Sequence, residues 1–133
     1  MPAKFVDTNI VIYMLSQDEV KREIALTILS CNPVMSIQVL SETANTMRRK
    51  LGFDPTTVAT VINRLSGSCS YLQPLTLATL QSAIDITRRY GFSHYDSLII
   101  AAALQTDCRV LYSEDMQHNQ VIDDRLTIIN PFL

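Results

Sequence analysis

Lys4-Phe5-Val6-Asp7-Thr8-Asn9-Ile10-Val11-Ile12-Tyr13 decides how the rest of the chain is read. A short apolar run suits a buried strand over Ala3–Asp7. It closes on an acid. Thr8 and Asn9 then turn the backbone into a helix over Thr8–Leu15. Ligands of open α/β sheets bind just outside the carboxyl ends of the strands. Asp7 therefore faces a candidate site rather than the core.

The same alternation continues outward. A helix is expected over Asp18–Leu29, with Val20, Ile24 and Ile28 on one stripe. Val34-Met35-Ser36 is a short strand. The next helix runs from Gln38 to Leu51, with Arg48, Arg49 and Lys50 in its last turn and Gly52 just beyond. Asp54-Pro55 caps and starts a helix to Leu65, closed by Gly67. Ser70–Pro74 is a strand. Thr76 caps a helix ending at Gly91, and Ser93 starts another to Thr106. Arg109–Tyr112 and Leu126–Ile129 are the last strands. Five strands separated by helices imply a mostly parallel sheet with helices on both faces. The run Leu98–Leu104 is apolar almost all round, so it must be covered on several sides, either as a central helix or at a subunit interface.

Composition narrows the class. The chain has 133 residues, which suits one domain over 1–133. Hydrophobic residues make up 47% and charged residues 18%, values of a folded domain rather than a disordered chain. No apolar run has the length of a membrane span, and the N-terminal residues lack a secretory pattern. Cys31, Cys69 and Cys108 are odd in number and far apart, as expected of reduced thiols filling the core of a cytoplasmic protein. The net charge of −2 does not advertise a nucleic-acid binder. There is no P-loop, no Gly-x-Gly-x-x-Gly and no Gly-x-Ser-x-Gly.

Asp7, Glu42, Asp96 and Asp115 all fall where strands and helices meet. Each has an ordinary structural reading. Asp7 could cap its helix, and Glu42 could favour the helix dipole. Ser93-His94-Tyr95-Asp96 matches a capping box. Asp115 could be a turn residue. None of these explains four acids delivered to one edge of a sheet. Gathered there, they would repel one another. A divalent cation with oxygen ligands, Mg²⁺ or Mn²⁺, relieves that repulsion.

Four segments carry a resemblance. They are Phe5-Val6-Asp7-Thr8-Asn9-Ile10, Ser36-Ile37-Gln38-Val39-Leu40-Ser41-Glu42, Tyr95-Asp96-Ser97-Leu98-Ile99-Ile100-Ala101-Ala102-Ala103 and Leu111-Tyr112-Ser113-Glu114-Asp115. In this order and spacing they resemble the acidic motifs of PIN domains, and short stand-alone PIN domains are similar to VapC-type toxins. The resemblance implies a three-layer α/β fold with a central, mostly parallel five-stranded sheet flanked by helices. It implies a cytoplasmic Mg²⁺- or Mn²⁺-dependent endoribonuclease using one or two ions, with hydrolysis by a metal-activated water. Asp7, Glu42, Asp96 and Asp115 become the metal-binding acids, Asp7 and Asp96 as direct ligands. Thr8, Asn9 and Ser113 orient the carboxylates. Glu114 adjoins Asp115, so two acids stand where the family uses one, and spacing after Ser113 favours Asp115. The implied partners are RNA, a protein antitoxin and a second copy of the chain in a homodimer, with no membrane.

Arg48-Arg49-Lys50 and Arg88-Arg89 are candidates for gripping phosphates, although both groups also suit helix C-termini. His118 is a further candidate for reaching the substrate. A haloacid-dehalogenase-type phosphatase needs a second aspartate where Asn9 stands. A phosphorelay receiver needs adjacent acids where Thr8 follows Asp7. The non-enzymatic alternative is a PIN-like scaffolding module that has lost catalysis, and the full set of four acids weighs against it.

Overall fold

The computed structural model describes residues 3–133. Six strands form one sheet in the order β3-β2-β1-β4-β6-β5. The strands are β1 (Lys4–Val6), β2 (Val34–Ser36), β3 (Tyr71–Gln73), β4 (Val110–Tyr112), β5 (Val121–Ile122) and β6 (Leu126–Ile129). The helices are α1 (Thr8–Tyr13), α2 (Glu19–Ser30), α3 (Ile37–Arg49), α4 (Pro55–Ser68), α5 (Leu77–Tyr90) and α6 (His94–Gln105). Five strands run parallel, as expected, and β5 adds an antiparallel edge against β6.

Consecutive residues of a strand point to opposite faces. Phe5 and Val6 are both buried, as are Val34 and Met35. The middle of the sheet is therefore covered on both sides, as a three-layer α/β fold requires. Helix α6 forms much of that cover. Every residue from Ser97 to Ala103 is buried, so its all-round apolar character is consumed inside the chain. The interface option for this helix falls away.

Other details depart from expectation. Gly67 does not end α4. The helix continues to Ser68, with Cys69 as its C-cap, since a lone glycine costs only about 1 kcal/mol inside a helix. The α2 stripe is only partly a core face: Ile28 packs against the core. Only Ala25 is buried there, and Val20 is 70% exposed. Cys108 belongs to the core, but Cys31 is exposed. Strand β5 carried no signal because two residues make no periodic pattern. Its connection to β6 uses Asp123 and Asp124 at φ 53° and 54°, and aspartate tolerates the left-handed region better than most residues. Among the described residues, no helix is long and apolar enough to cross a membrane.

Register fixes what stands at the sheet's carboxyl edge. Val6 lies opposite Tyr112, so Asp7 and Ser113 leave adjacent strands side by side. Phe5 lies opposite Val34, which brings Ser36, the N-cap of α3, to the same edge.

Candidate active site

Asp7 follows the last residue of β1, and its N–H still donates to the Tyr112 carbonyl at 2.9 Å. Its side chain does two things. Oδ1 accepts from the Thr8 N–H at 2.7 Å and caps α1. Oδ2 accepts from the Ser113 hydroxyl at 2.8 Å. The residue is only 6% exposed. Burial pushes its carboxyl up to about 6, with the negative charges of Asp96 and Glu42 adding to the rise and the Ser113 and Thr8 hydrogen bonds opposing it. The capping reading is correct but incomplete, because capping uses one oxygen.

Glu42 lies in the second turn of α3. Gln38, Glu42, Thr46 and Lys50 succeed one another every four residues, so they form one stripe along that helix. The Gln38 amide donates to Glu42 at 2.6 Å and to the Tyr95 carbonyl at 3.1 Å. This ties α3 to the start of α6. Asp96 sits in the first turn of α6, where the Ser93 hydroxyl accepts its N–H at 3.2 Å. Partial burial raises its carboxyl, the Ser93 contact opposes the rise, and the charge of Asp115 adds to it. Asp115 accepts from the Asn9 amide at 3.0 Å.

All four acids line one groove of about 450 Å³, together with Thr8, Asn9, Tyr13, Thr46 and Lys50. The route is less uniform than the sequence suggested. Asp7 and Asp115 leave strand ends. Asp96 enters from the first turn of α6, and Glu42 from within α3. None of the four forms an ion pair with a described residue. The larger concavity, about 650 Å³ between α5, α6 and the β5–β6 turn, has a different character. Its Asp85, Asp107 and Asp123 are all paired with arginines.

The groove suits a hard cation. Its donors are carboxylate oxygens, and the Thr8 hydroxyl beside Asp7 is buried without a hydrogen-bond partner. Among the described residues, no three His, Cys, Asp or Glu side chains converge tightly enough to cage an ion. Mg²⁺ does not need such a cage, since it keeps several waters and takes only one or two carboxylates.

The adjacent acids separate cleanly. Glu114 does not line the groove; its carboxylate accepts from Lys21 at 2.7 Å and from the Tyr13 hydroxyl at its edge. Asp115 turns in. The other sequence candidates diverge. Arg48 donates to the Phe53 carbonyl at 2.8 Å, and Arg88 and Arg89 are held by Asp85 and Asp123. His118 accepts the Asn130 N–H at 2.9 Å, so its ring pins the C-terminal segment. Lys50, submerged in a basic run in the sequence, is the cation that reaches the groove. Its spacing of eight residues, about two helical turns, from Glu42 was the available signal.

An α/β sheet with acids along its carboxyl edge places a ligand site where such folds build them. The chain belongs to the PIN domain family, whose family model matches residues 4–123. Solved structures agree on the fold. VapC20 of Mycobacterium tuberculosis, a toxin described as cleaving the sarcin–ricin loop, aligns with a TM-score of 0.68 at 19% identity, covering 85% of this chain and 90% of its own. A toxin–antitoxin complex from Klebsiella pneumoniae aligns with a TM-score of 0.69 at 16% identity, covering 97% and 98%. FitAcB from Neisseria gonorrhoeae gives 0.65 at 15% identity, covering 97% and 98%. A search of curated proteins finds no match.

Proposed function

We propose that the whole chain, 1–133, is one PIN domain acting as a metal-dependent endoribonuclease, the toxin of a toxin–antitoxin pair. One observation carries this reading: four carboxylates without cationic partners line a single groove, and the most buried of them has a raised pKa. Uncompensated like charge costs stability, and perturbed carboxyls in a cleft are marks of a functional site.

Asp7 and Asp96 would hold a Mg²⁺ or Mn²⁺ ion directly. Glu42 and Asp115 would act through water, or take the proton of the attacking water. Ser113 and Thr8 fix the Asp7 carboxylate, and Asn9 fixes Asp115. Bound there, a divalent cation would acidify the attacking water and neutralise charge on the phosphate. Lys50, at the open end of the α3 stripe, would contact a neighbouring phosphate of the RNA.

The toxin reading is supported by the fold shared with VapC20 and with the Klebsiella toxin–antitoxin complex. It brings a protein antitoxin whose cationic side chain would enter the groove and replace the metal's charge. A homodimer would cover the exposed Leu77, Ile84 and Tyr95.

The test is expression of the wild-type chain and Asp7→Asn in a bacterial host. Wild type should arrest growth and fragment RNA, and the variant should do neither. Purified protein should cut RNA with Mg²⁺ or Mn²⁺ and stop in EDTA. Undiminished cleavage in chelator would sink the mechanism. A wild-type chain without nuclease activity would support the scaffolding alternative.

A further inference from the structure

The turn after β4 is stitched at every residue. Ser113 donates its hydroxyl to Asp7 and accepts the Met116 N–H at 3.4 Å. The Glu114 N–H donates to the Asn9 side-chain oxygen at 3.3 Å. Asn9 in turn donates its amide to Asp115. The Glu114 carboxylate docks one turn further along α1 than Asp115, which meets Asn9. It accepts from Lys21 of α2 on one oxygen and from the Tyr13 hydroxyl of α1 on the other. Lys21 also donates to that hydroxyl at 3.2 Å. Its ammonium lies 4.8 Å from the Tyr13 ring centre and 5.4 Å from that of Phe132. Phe132 meets the Tyr13 ring edge-on at 4.8 Å. Two helices, α1 and α2, thus close on the Glu114 side chain, and the C-terminal Phe132 packs behind Tyr13 and Lys21.

We propose that Lys21, Tyr13 and Glu114 form a positioning clamp that aims Asp115 into the acidic groove. The inference rests on the metal-dependent reading of that groove and adds Lys21 and Glu114, which do not line it, held together by the hydroxyl of the groove residue Tyr13. Glu114 and Asp115 both dock on α1, on Tyr13 and Asn9 four residues apart, so fixing Glu114 sets where the turn presents Asp115. The Glu114 N–H passes the same constraint to Asn9, the residue that holds Asp115. The ion pair is only partly exposed, with side chains 33% and 25% accessible, and the two rings limit how far Lys21 can stray. A partner pinned in this way loses little further freedom on forming its hydrogen bonds. Partners that orient metal ligands typically change metal affinity or activity by about 10–100-fold when removed.

The experiment is Mn²⁺ titration by calorimetry of the full chain, alongside RNA cleavage at varied Mn²⁺. The variants are Lys21→Met, which keeps the apolar stem between the rings, Glu114→Ala and the conservative Lys21→Arg. Lys21→Met and Glu114→Ala should weaken Mn²⁺ binding about tenfold or more and raise the Mn²⁺ needed for half-maximal cleavage by the same factor. KM for RNA at saturating Mn²⁺ should hold, and Lys21→Arg should restore most of the affinity. A merely structural role would lower Tm and leave the Mn²⁺ Kd in place. Folded Lys21→Met with a Kd within twofold of wild type overturns the clamp and leaves the ribonuclease reading standing. Wild type that binds Mn²⁺ but cuts no RNA overturns the ribonuclease reading, while the variants' Kd values still decide the clamp. Wild type that binds no Mn²⁺ at millimolar concentration overturns both.

Discussion

Two carboxylate clusters in this molecule look alike in the sequence and behave oppositely in the fold. Around the β5–β6 turn, Asp85, Asp107 and Asp123 each meet an arginine. Arg89 bridges Asp85 and Asp123 at 2.8 Å and 2.6 Å, and the Tyr90 hydroxyl adds a third contact to Asp123 at 3.0 Å. The Arg89 contacts hold the Asp123 carboxyl below its ordinary range against a small opposing effect of burial. At the carboxyl edge of the sheet, Asp7, Glu42, Asp96 and Asp115 have no such partners among the described residues, and Asp7 and Asp96 are shifted upward instead. The first cluster is complete within the chain. The second is electrostatically unfinished, and an unfinished cluster calls for something from outside. Number of acids does not separate the two; pairing does.

The largest expected contrast is in activity. Asp7→Asn and Asp96→Asn should each lower RNA cleavage by roughly 10³-fold, equivalent to about 4 kcal/mol of transition-state stabilisation. Arg89→Ala should leave the rate near wild type. Equal losses at both clusters would erase the distinction.

Next is pH. Folding raises the Asp7 carboxyl from 3.8 to about 6, so between these values the native state binds more protons than the unfolded state. Stability of the metal-free protein should therefore fall as pH rises through this window, by about 3 kcal/mol from this group alone. Asp7→Asn should flatten the decline. Denaturant unfolding at pH 4 and pH 7 in chelator measures it, and a wild-type slope matching that of the variant refutes it.

Metal should act in the opposite direction. Mn²⁺ at about a hundred times its Kd should stabilise the wild type by about 2.7 kcal/mol. The gain should shrink in Asp7→Asn, by thermal unfolding with and without Mn²⁺. Arg89→Ala should keep the full gain, which sharpens the contrast between the clusters.

The smallest effect separates capping from chemistry at α6. Ser93→Ala removes the cap and should cost about 1 kcal/mol. Asp96→Asn keeps the capped N–H and relieves repulsion, so it should hold or raise stability while abolishing cleavage. An Asp96→Asn protein that is destabilised yet fully active would make Asp96 a helix-start residue and nothing more.

Much of this was legible in the chain. The parallel strands were marked by short apolar runs, and the helices by caps such as Asp54-Pro55 and Thr76. The four groove acids could be named because each sits in a recognisable motif. What escaped had weak or ambiguous local signals. Strand β5 is too short for periodicity. Val20 sits on an apolar stripe whose burial depends on neighbours that are not there. Arg88 and Arg89 read as candidates for phosphate contact or a helix C-terminus; the bridge from Arg89 to Asp123 escaped because that partner lies 34 residues away, while the local partner of both, Asp85, was overlooked.

The sequence by itself determined the order of strands and helices, the acids at their junctions and the family to which they belong, because periodicity, capping and motif spacing are local properties. Only the tertiary structure decided which charges are neutralised and which face an open groove. It sent Glu114 to Lys21 and Tyr13 and turned Asp115 inward. It brought Lys50 to the groove and tied His118 to Asn130. Coulomb energy and desolvation depend on distances in space, and adjacent residues of a turn can share a chemistry while one is paired with a cation and the other faces an open groove.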